Sequence, residues 1–425
     1  MWYFSAVKLI FLNRYFHPDL SATSQMLSGL AFHLASRGAE VHVITSRQRY
    51  GDPSAQLAAE ETISGVRVHR VLTSRFGRRT LPGRALDYAS FYLWAAAKLA
   101  ALAQRGDIVV AKTDPPLISV PALLVTRLRG ARLVNWLQDL FPEAAERMGL
   151  RLPGITGLAR AARDASLRGA EINVVLGELM RKQVEKIPGA PRSTVIHNWA
   201  DSRNLVPVEP TSNPLRSAWG LDGKFVVAYS GNMGRAHEFD TILEAAGKLR
   251  SQPSILFLLI GDGHHRDRIA ALARERGLSD LQFRPYQPAE LLSQSLGSAD
   301  VHLTTLLPAL EGLIVPSKLY GILAAGRPAI HIGDPEGEVG RILETAQCGF
   351  AVPPGDASLL AKRLVELSSN PQLVAHLGRN ARTAFEASFS EQIAFRHWEN
   401  LLLAIDAAAL GRASAQVKRG AIPVS

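Results

Sequence analysis

The sequence predicts an α/β protein made of two doubly wound parallel-sheet units that face each other across a cleft. Three observations carry this reading. The chain opens with a short apolar run at residues 8–13, a loop, a helical periodicity and a second apolar run, the β–loop–α–β start of a doubly wound sheet. The same alternation restarts at Phe225-Val-Val-Ala-Tyr-Ser230. Between the two lies a stretch, 198–219, rich in Pro, Asn and Ser, which reads as a linker, and 425 residues suffice for two to three domains.

In the first half, Gln25, Leu27, Leu30, Ala31 and Leu34 carry the first helix, which Arg37-Gly38 stops, and 40–45 forms the next strand. Strand-like runs follow at 66–71, 107–111, 132–136, 171–176 and 194–197, most of them separated by helical stretches. In the second half a glycine-bearing loop follows residue 230, a helix covers about 239–249, and strands are expected at 255–260, 281–283, 301–304 and 329–332. A last helical run, about 391–409, is followed by a tail that reads as loose from about Gly411. The expected division is a first domain of residues 1–203, joined by the helix at about 391–410, and a second domain of 204–390.

Charge is unevenly spread. The net charge is +10, and up to Arg203 there are 27 Lys and Arg against 16 Asp and Glu, so the first half holds the whole excess. Nucleic acid is excluded as a partner because no helix-turn-helix, zinc or RNP-type pattern accompanies the charge. An anionic membrane face remains. Arg75, Arg78, Arg79 and Arg84 precede Tyr88, Phe91, Tyr92 and Trp94, a mixture suited to a headgroup layer, and Arg160, Arg163 and Arg168 suggest a second basic helix. No apolar run reaches the roughly 18 residues of a spanning helix; residues 91–103 come closest and Lys98 interrupts them. The apolar opening, 1–7, is too short and uncharged for a secretory leader, and a single cysteine, Cys348, excludes a disulfide framework. A soluble or peripheral protein is expected.

The chemistry concentrates at strand ends. Pro308-Ala-Leu-Glu311-Gly312-Leu313-Ile-Val-Pro316-Ser317-Lys318 sets a carboxylate and a glycine before a helix start, where free N–H groups and the positive helix end suit an anion. Gly231, Asn232, Gly234 and Arg235 form a glycine turn after a strand, suited to a pyrophosphate or simply to a tight turn. Ile260-Gly261-Asp262-Gly263 is too short for a dinucleotide fingerprint, and His264-His265 lacks partners at metal-ligand spacing. Tyr286 follows the next strand. In the first half Gln138-Asp139-Leu-Phe-Pro142-Glu143 follows a strand, with the plain alternative that Asp139 caps a helix and Glu143 sits in its first turn. His17, Ser21 and Thr23 lie in the first β–α loop, and Asp114 ends another strand.

These segments together resemble family-4 retaining glycosyltransferases, enzymes of the two-domain GT-B type, from residue 8 to about Trp398. Asp-Leu-Phe-Pro-Glu, His-Asn-Trp-Ala-Asp and Pro-Ser-Lys-Leu-Tyr resemble most the subgroup that builds O-antigen, colanic acid and other bacterial exopolysaccharides. The resemblance implies a metal-independent, cofactor-free enzyme moving a sugar from a nucleotide diphosphate, UDP in preference to GDP, onto a lipid-diphosphate-linked saccharide at the cytoplasmic membrane. Glu311, Asp139 and Arg235 would be catalytic. Gly231, Asn232, Gly234, Arg235, Tyr286, Glu311, Gly312, Leu313, Ser317 and Lys318 would hold the donor. His17, Ser21, Thr23, Asp114, Gln138 and Glu143 would face the acceptor. The chain departs from the family pattern at Gly321, which stands for a second Glu, at Gln138, which replaces His, and at His237-Glu238, which replaces a Lys. A GT-B sugar-nucleotide epimerase and a non-catalytic membrane partner are the alternatives. No Asp-x-Asp pair suited to a metal on a diphosphate is present.

Overall fold

The computed structural model describes residues 7–50, 52, 54–77, 80–150, 154–189 and 191–420. Arg78 and Arg79 of the expected membrane segment, and most of the apolar opening, lie outside them. The first half runs β1 (Lys8–Leu12), α1 (Ala22–Ser36), β2 (Glu40–Ser46), β3 (Glu60–Ile63), β4 (Val66–Val71), α2 (Leu81–Leu102), β5 (Ile108–Lys112) and α3 (Ser119–Arg129). It continues through β6 (Arg132–Trp136), α4 (Glu143–Arg147), α5 (Ile155–Gly169), β7 (Ile172–Val175), α6 (Glu178–Glu185) and β8 (Ser193–Val195). The second half runs α7 (Pro214–Ala218), β9 (Phe225–Ser230), α8 (Asp240–Lys248), β10 (Ile255–Ile260), α9 (Arg266–Glu275), β11 (Leu281–Arg284), α10 (Leu292–Gly297) and β12 (Val301–Thr305). Then come α11 (Lys318–Ala324), β13 (Ala329–Ile332), α12 (Glu338–Thr345), β14 (Gly349–Val352), α13 (Ala357–Ser368), α14 (Pro371–Ala384) and α15 (Glu391–Gly420).

Eight strands form the first sheet in the order β3-β4-β2-β1-β5-β6-β7-β8 and six the second in the order β11-β10-β9-β12-β13-β14. All pairs are parallel except the edge hairpin β3–β4. Strand β10, Ile-Leu-Phe-Leu-Leu-Ile, is buried along its whole length, as a parallel strand covered by helices on both faces requires. In both sheets the order reverses next to the first strand, between β1 and β5 and between β9 and β12. Ligands of such sheets bind outside the carboxyl ends of the strands at that crevice.

Helix α15 returns from the second half to the first. Phe395, Trp398 and Leu402 join the core of the first sheet, and Trp398 packs at 4.7 Å from Trp136, which also stacks on Trp199. Each such side chain contributes about 2–3 kcal/mol of apolar burial. Arg132 and the His33–Arg37 pair hold the helix by ion pairs to Asp406 and Glu399. The helix continues to Gly420, so the loose tail expected from Gly411 is corrected. Gly411 costs a helix about 1 kcal/mol, too little to end one whose neighbours are Ala, Leu, Arg and Gln. Strands β3 and β14 were not legible as runs: the first opens with two adjacent glutamates on an exposed edge, and the second begins at a glycine.

Candidate active site

Two glycine turns interlock at the carboxyl ends of β9 and β10. Gly231 and Gly261 have φ of 131° and 129°, and a Cβ on Gly261 would lie 2.2 Å from the Gly231 carbonyl oxygen. Only glycine allows this approach. Gly231 N–H donates to Ile260 O and Met233 N–H to Asp262 O, so those amides are taken. Tyr286 packs its ring edge against Gly261 and is 56% exposed at the rim. Asn232 and Arg235 are exposed, and Gly234 lies against the Asn232 side chain.

A lysine, which the sequence of this turn lacks, arrives from the start of α11. Lys318 reaches under Gly231, where an added Cβ would meet its Cε at 2.7 Å. Its Nζ lies 2.9 Å from His237 Nε2 and 5.0 Å from the Tyr229 ring centre. His237 Nδ1 is 2.7 Å from the Thr305 carbonyl, which fixes the proton on Nδ1 and leaves Nε2 to accept from the ammonium. Burial pushes Lys318 down to about 7, and burial with the neighbouring ammonium pushes His237 down to about 3. Ser317 occupies the N-cap position of α11 with no side-chain bond to it. At Gly321 an added Cβ would meet Leu296 Cδ1 at 3.5 Å, ordinary contact distance.

The loop after β12 departs from expectation. Leu313 N–H donates to Leu310 O, not into the cleft, and Leu313 O accepts from Leu140 N–H across the domains. Gly312, at φ 73°, sits on α6, with Leu179 O 3.3 Å from where a Cβ would be. Both residues are therefore backbone of the domain interface, and the Leu313 amide is already taken. An apolar cluster explains it: Leu137, Leu140, Met180 and Val184 of the first half pack with Leu306, Leu310, Leu313 and Val315 of the second. Glu311 points the other way. Its Oε2 accepts from Glu338 N–H at 3.3 Å, and its Oε1 is buried with no partner, 3.8 Å from the equally unpartnered His331 Nε2.

Asp139 does not cap a helix; Pro142 holds the N-cap position of α4. Asp139 instead bridges to Ile314 across the domains, its Oδ1 is buried without a partner, and burial followed by repulsion from Asp114 pushes its carboxyl up to about 7. Asp114 accepts from Thr23 Oγ1 at 3.2 Å, joining the first turn of α1, rather than the loop expected to hold Thr23, to the loop after β5. Gln138 and Asn198 exchange amide hydrogen bonds at 3.3 and 3.4 Å; Asn198 was not read from sequence. Lys112 was passed over too: its Nζ is fully buried, has no hydrogen-bond partner and lies 3.4 Å from the Trp136 ring centre. Ser21 Oγ is buried without a partner at the start of α1. His17 is exposed, its ring edge-on to Phe32. Glu143 is gripped by Arg160 and Arg163. It still lines, with Glu146, Arg147, Gln183 and Glu311, a cavity of about 560 Å³ between the halves.

Those ion pairs engage two of the three arginines of the second basic helix, while Arg168 stays exposed. Arg163 is buried on Glu143 and Asp164, Arg160 holds Glu143 and Glu146, and Arg168 donates to Pro188 O. In α2, Phe91 lies in the core and Tyr92 donates to Pro116 O, so neither faces a headgroup layer.

Two facing parallel-sheet domains with a cation-bearing glycine turn on the cleft define the architecture of GT-B glycosyltransferases. Residues 213–384 match the family model "Glycosyl transferases group 1" and residues 22–199 the model "Glycosyl transferase 4-like domain". Over 299 residues, 70% of this chain and 74% of the other, the sequence is 30% identical to the glycosyltransferase WbjE of Pseudomonas aeruginosa. It is 27% identical to the colanic acid biosynthesis glycosyltransferase WcaI of Escherichia coli K12, over 80% of this chain and 86% of that one. Anabaena HepE in complex with UDP superimposes with a TM-score of 0.71 at 15% identity, covering 94% of this chain and all of that one, which speaks for the fold. The chain belongs to the family-4 glycosyltransferases of the GT-B type.

Proposed function

We propose that the protein transfers a hexose, with retention, from a nucleoside diphosphate sugar, UDP-linked by preference, to a lipid-diphosphate-linked saccharide during surface polysaccharide assembly. The observation that carries this is the buried Lys318 side chain under the interlocked glycine turns at the carboxyl ends of β9 and β10, with His237 accepting from it. Solved neighbours of the same fold are described with UDP, UDP and glucose, and UDP-glucose. Residues 204–390 would hold the donor; residues 1–203 with the returning helix would hold the acceptor. Lys318 and Arg235 neutralise the diphosphate, so neither a metal nor a cofactor is invoked. The sugar C1–O bond to the diphosphate breaks as the acceptor hydroxyl adds to the same face, and the leaving oxygen takes the hydroxyl proton. Glu311 and Asp139 stabilise the oxocarbenium-like sugar. Tyr286 borders the base.

Ligand-dependent melting tests this with UDP, GDP, dTDP, ADP and NAD. UDP at about 100 times its dissociation constant should add about 2.7 kcal/mol of stability. A response to NAD alone, or to none of the five, overturns the donor site.

The enzyme is assigned to the cytoplasmic face of the membrane. No described helix is long and apolar enough to cross one. Support for a peripheral site is the exposed apolar row Leu86, Leu93 and Trp94 on α2, Leu124 and Leu128 on α3 and Leu158 on α5, neighbouring helices of the cation-rich half. Replacing Leu93, Trp94 and Leu128 together with Ser should weaken binding to anionic vesicles by roughly thirtyfold, about 2 kcal/mol of apolar insertion. Unchanged binding removes this face from the assignment.

A further inference from the structure

Two carboxylates connect the halves in series. Helix α12 starts at Glu338, and its N-cap, Gly337, offers no side chain. Glu311 takes that place by accepting the Glu338 N–H. The Glu338 carboxylate then crosses the cleft: Glu178 N–H donates to its Oε1 at 3.2 Å and Leu179 N–H to its Oε2 at 3.1 Å. These are first-turn amides of α6, whose own N-cap, Gly177, is again a glycine without a cap. Charge-assisted bonds of this kind are about twice as strong as neutral ones, and the positive helix end adds to them.

Space, not backbone conformation, ties both glycines to these carboxylates, because a side chain at either would have to displace one. A Cβ on Gly177 would lie 2.2 Å from Glu338 Cδ, and one on Gly337 would lie 2.5 Å from Glu311 Oε1. Their φ values, −170° and −69°, are open to any residue. Glu338 is only 8% exposed, yet its carboxylate is held by two amides of the opposite domain. The Gly177–Glu338–Glu311 series is thus a fitted contact between domains, and it ends on a carboxylate whose Oε1 is buried with no hydrogen-bond partner.

We propose that Glu338 is a positioning residue that holds the cleft in its closed, transfer-competent form, and that Glu311 couples this latch to the donor sugar. The coupling rests on the reading of Glu311 as the sugar's carboxylate. A hydroxyl donating to the vacant Oε1 fixes the carboxylate whose Oε2 fixes the start of α12, and so the reach of Glu338. When the sugar departs with the acceptor, that constraint is lost and the cleft opens for the nucleotide to leave.

The test uses Gly177→Ala, Glu338→Ala and Glu338→Gln in the full chain. Small-angle X-ray scattering should give a larger radius of gyration for the first two, with Gln, which keeps one acceptor oxygen, between them and the parent. With UDP-sugar and acceptor, kcat should fall about tenfold in the Ala variants, matching a closed form reduced to about a tenth. UDP affinity should stay within about twofold, since the Lys318 turn belongs to one domain. Donor hydrolysis relative to transfer should rise several-fold because an open cleft admits water. An unchanged radius of gyration in Gly177→Ala overturns the latch, as does an unchanged hydrolysis-to-transfer ratio. Gly177→Ala adds one methyl outside a helix and decides the matter if Glu338→Ala does not fold. Scattering reads the latch without any turnover, so a failed transfer assay overturns the proposed reaction and leaves the latch to be judged separately.

Discussion

Lys318→Met is expected to lower kcat/KM by about 100- to 1,000-fold, the effect of removing one preorganised charge from a developing anion. The same substitution should raise thermal stability. In the folded protein burial holds the lysine down to about 7, whereas the unfolded chain keeps its ordinary value of 10.5. Between those values the unfolded chain binds a proton that the folded one does not, so this residue's contribution to stability rises with pH across the window. Near pH 7 the penalty is present, and methionine removes it, for a gain of about 1–2 kcal/mol after allowing for water around the ammonium. Binding shows the opposite slope. A diphosphate favours the ammonium, so above about pH 7 binding must take up a proton, and UDP affinity should fall by up to about tenfold per pH unit. Isothermal titration at pH 7, 8 and 9 reads this, and the slope should vanish in Lys318→Met. A parent enzyme with pH-independent affinity, or a variant that turns over normally, removes Lys318 from the donor site. Arginine is not expected to rescue, because the lysine stem already lies against Gly231.

How much of this was legible follows from the range of each cause. The glycine turns were readable because their residue type reports a local backbone need, here at Gly231 and Gly261. Lys318 was readable as a residue at a helix start, but its destination under a turn 87 positions earlier was a tertiary fact. Glu311 was found for its neighbours, yet the expected Leu313 amide is taken by Leu310 O and Gly312 packs on α6, a tertiary contact that no local pattern encodes. The ion pairs of the basic helix were hidden for the same reason: Arg160 and Arg163 find Glu143 at separations of 17 and 20 residues. Phe91 and Tyr92 share their helix with the exposed Leu93 and Trp94, and composition alone could not tell the inward pair from the outward one. The two domains were legible because parallel strands buried on both faces leave continuous apolar runs such as 255–260.

Glu311→Gln separates the two duties of one carboxylate. The amide oxygen can still accept from Glu338 N–H, so the latch and the fold should persist. What disappears is the charge at the vacant Oε1, the atom assigned to the donor sugar. In the resting protein that oxygen is buried without a donor and faces His331 Nε2, itself unpartnered, at 3.8 Å. An unsatisfied buried acceptor costs about 1–3 kcal/mol, which sugar hydroxyls would relieve most fully as charge develops at C1. The glutamine amide can instead turn its N–H toward His331, so melting should rise by a degree or more while kcat falls about 100- to 1,000-fold. UDP affinity should change by less than about threefold, since the nucleotide turns stand apart from this loop. A kcat within about threefold of the parent, with scattering unchanged, would mean that Glu311 serves the domain contact alone and that another group meets the sugar.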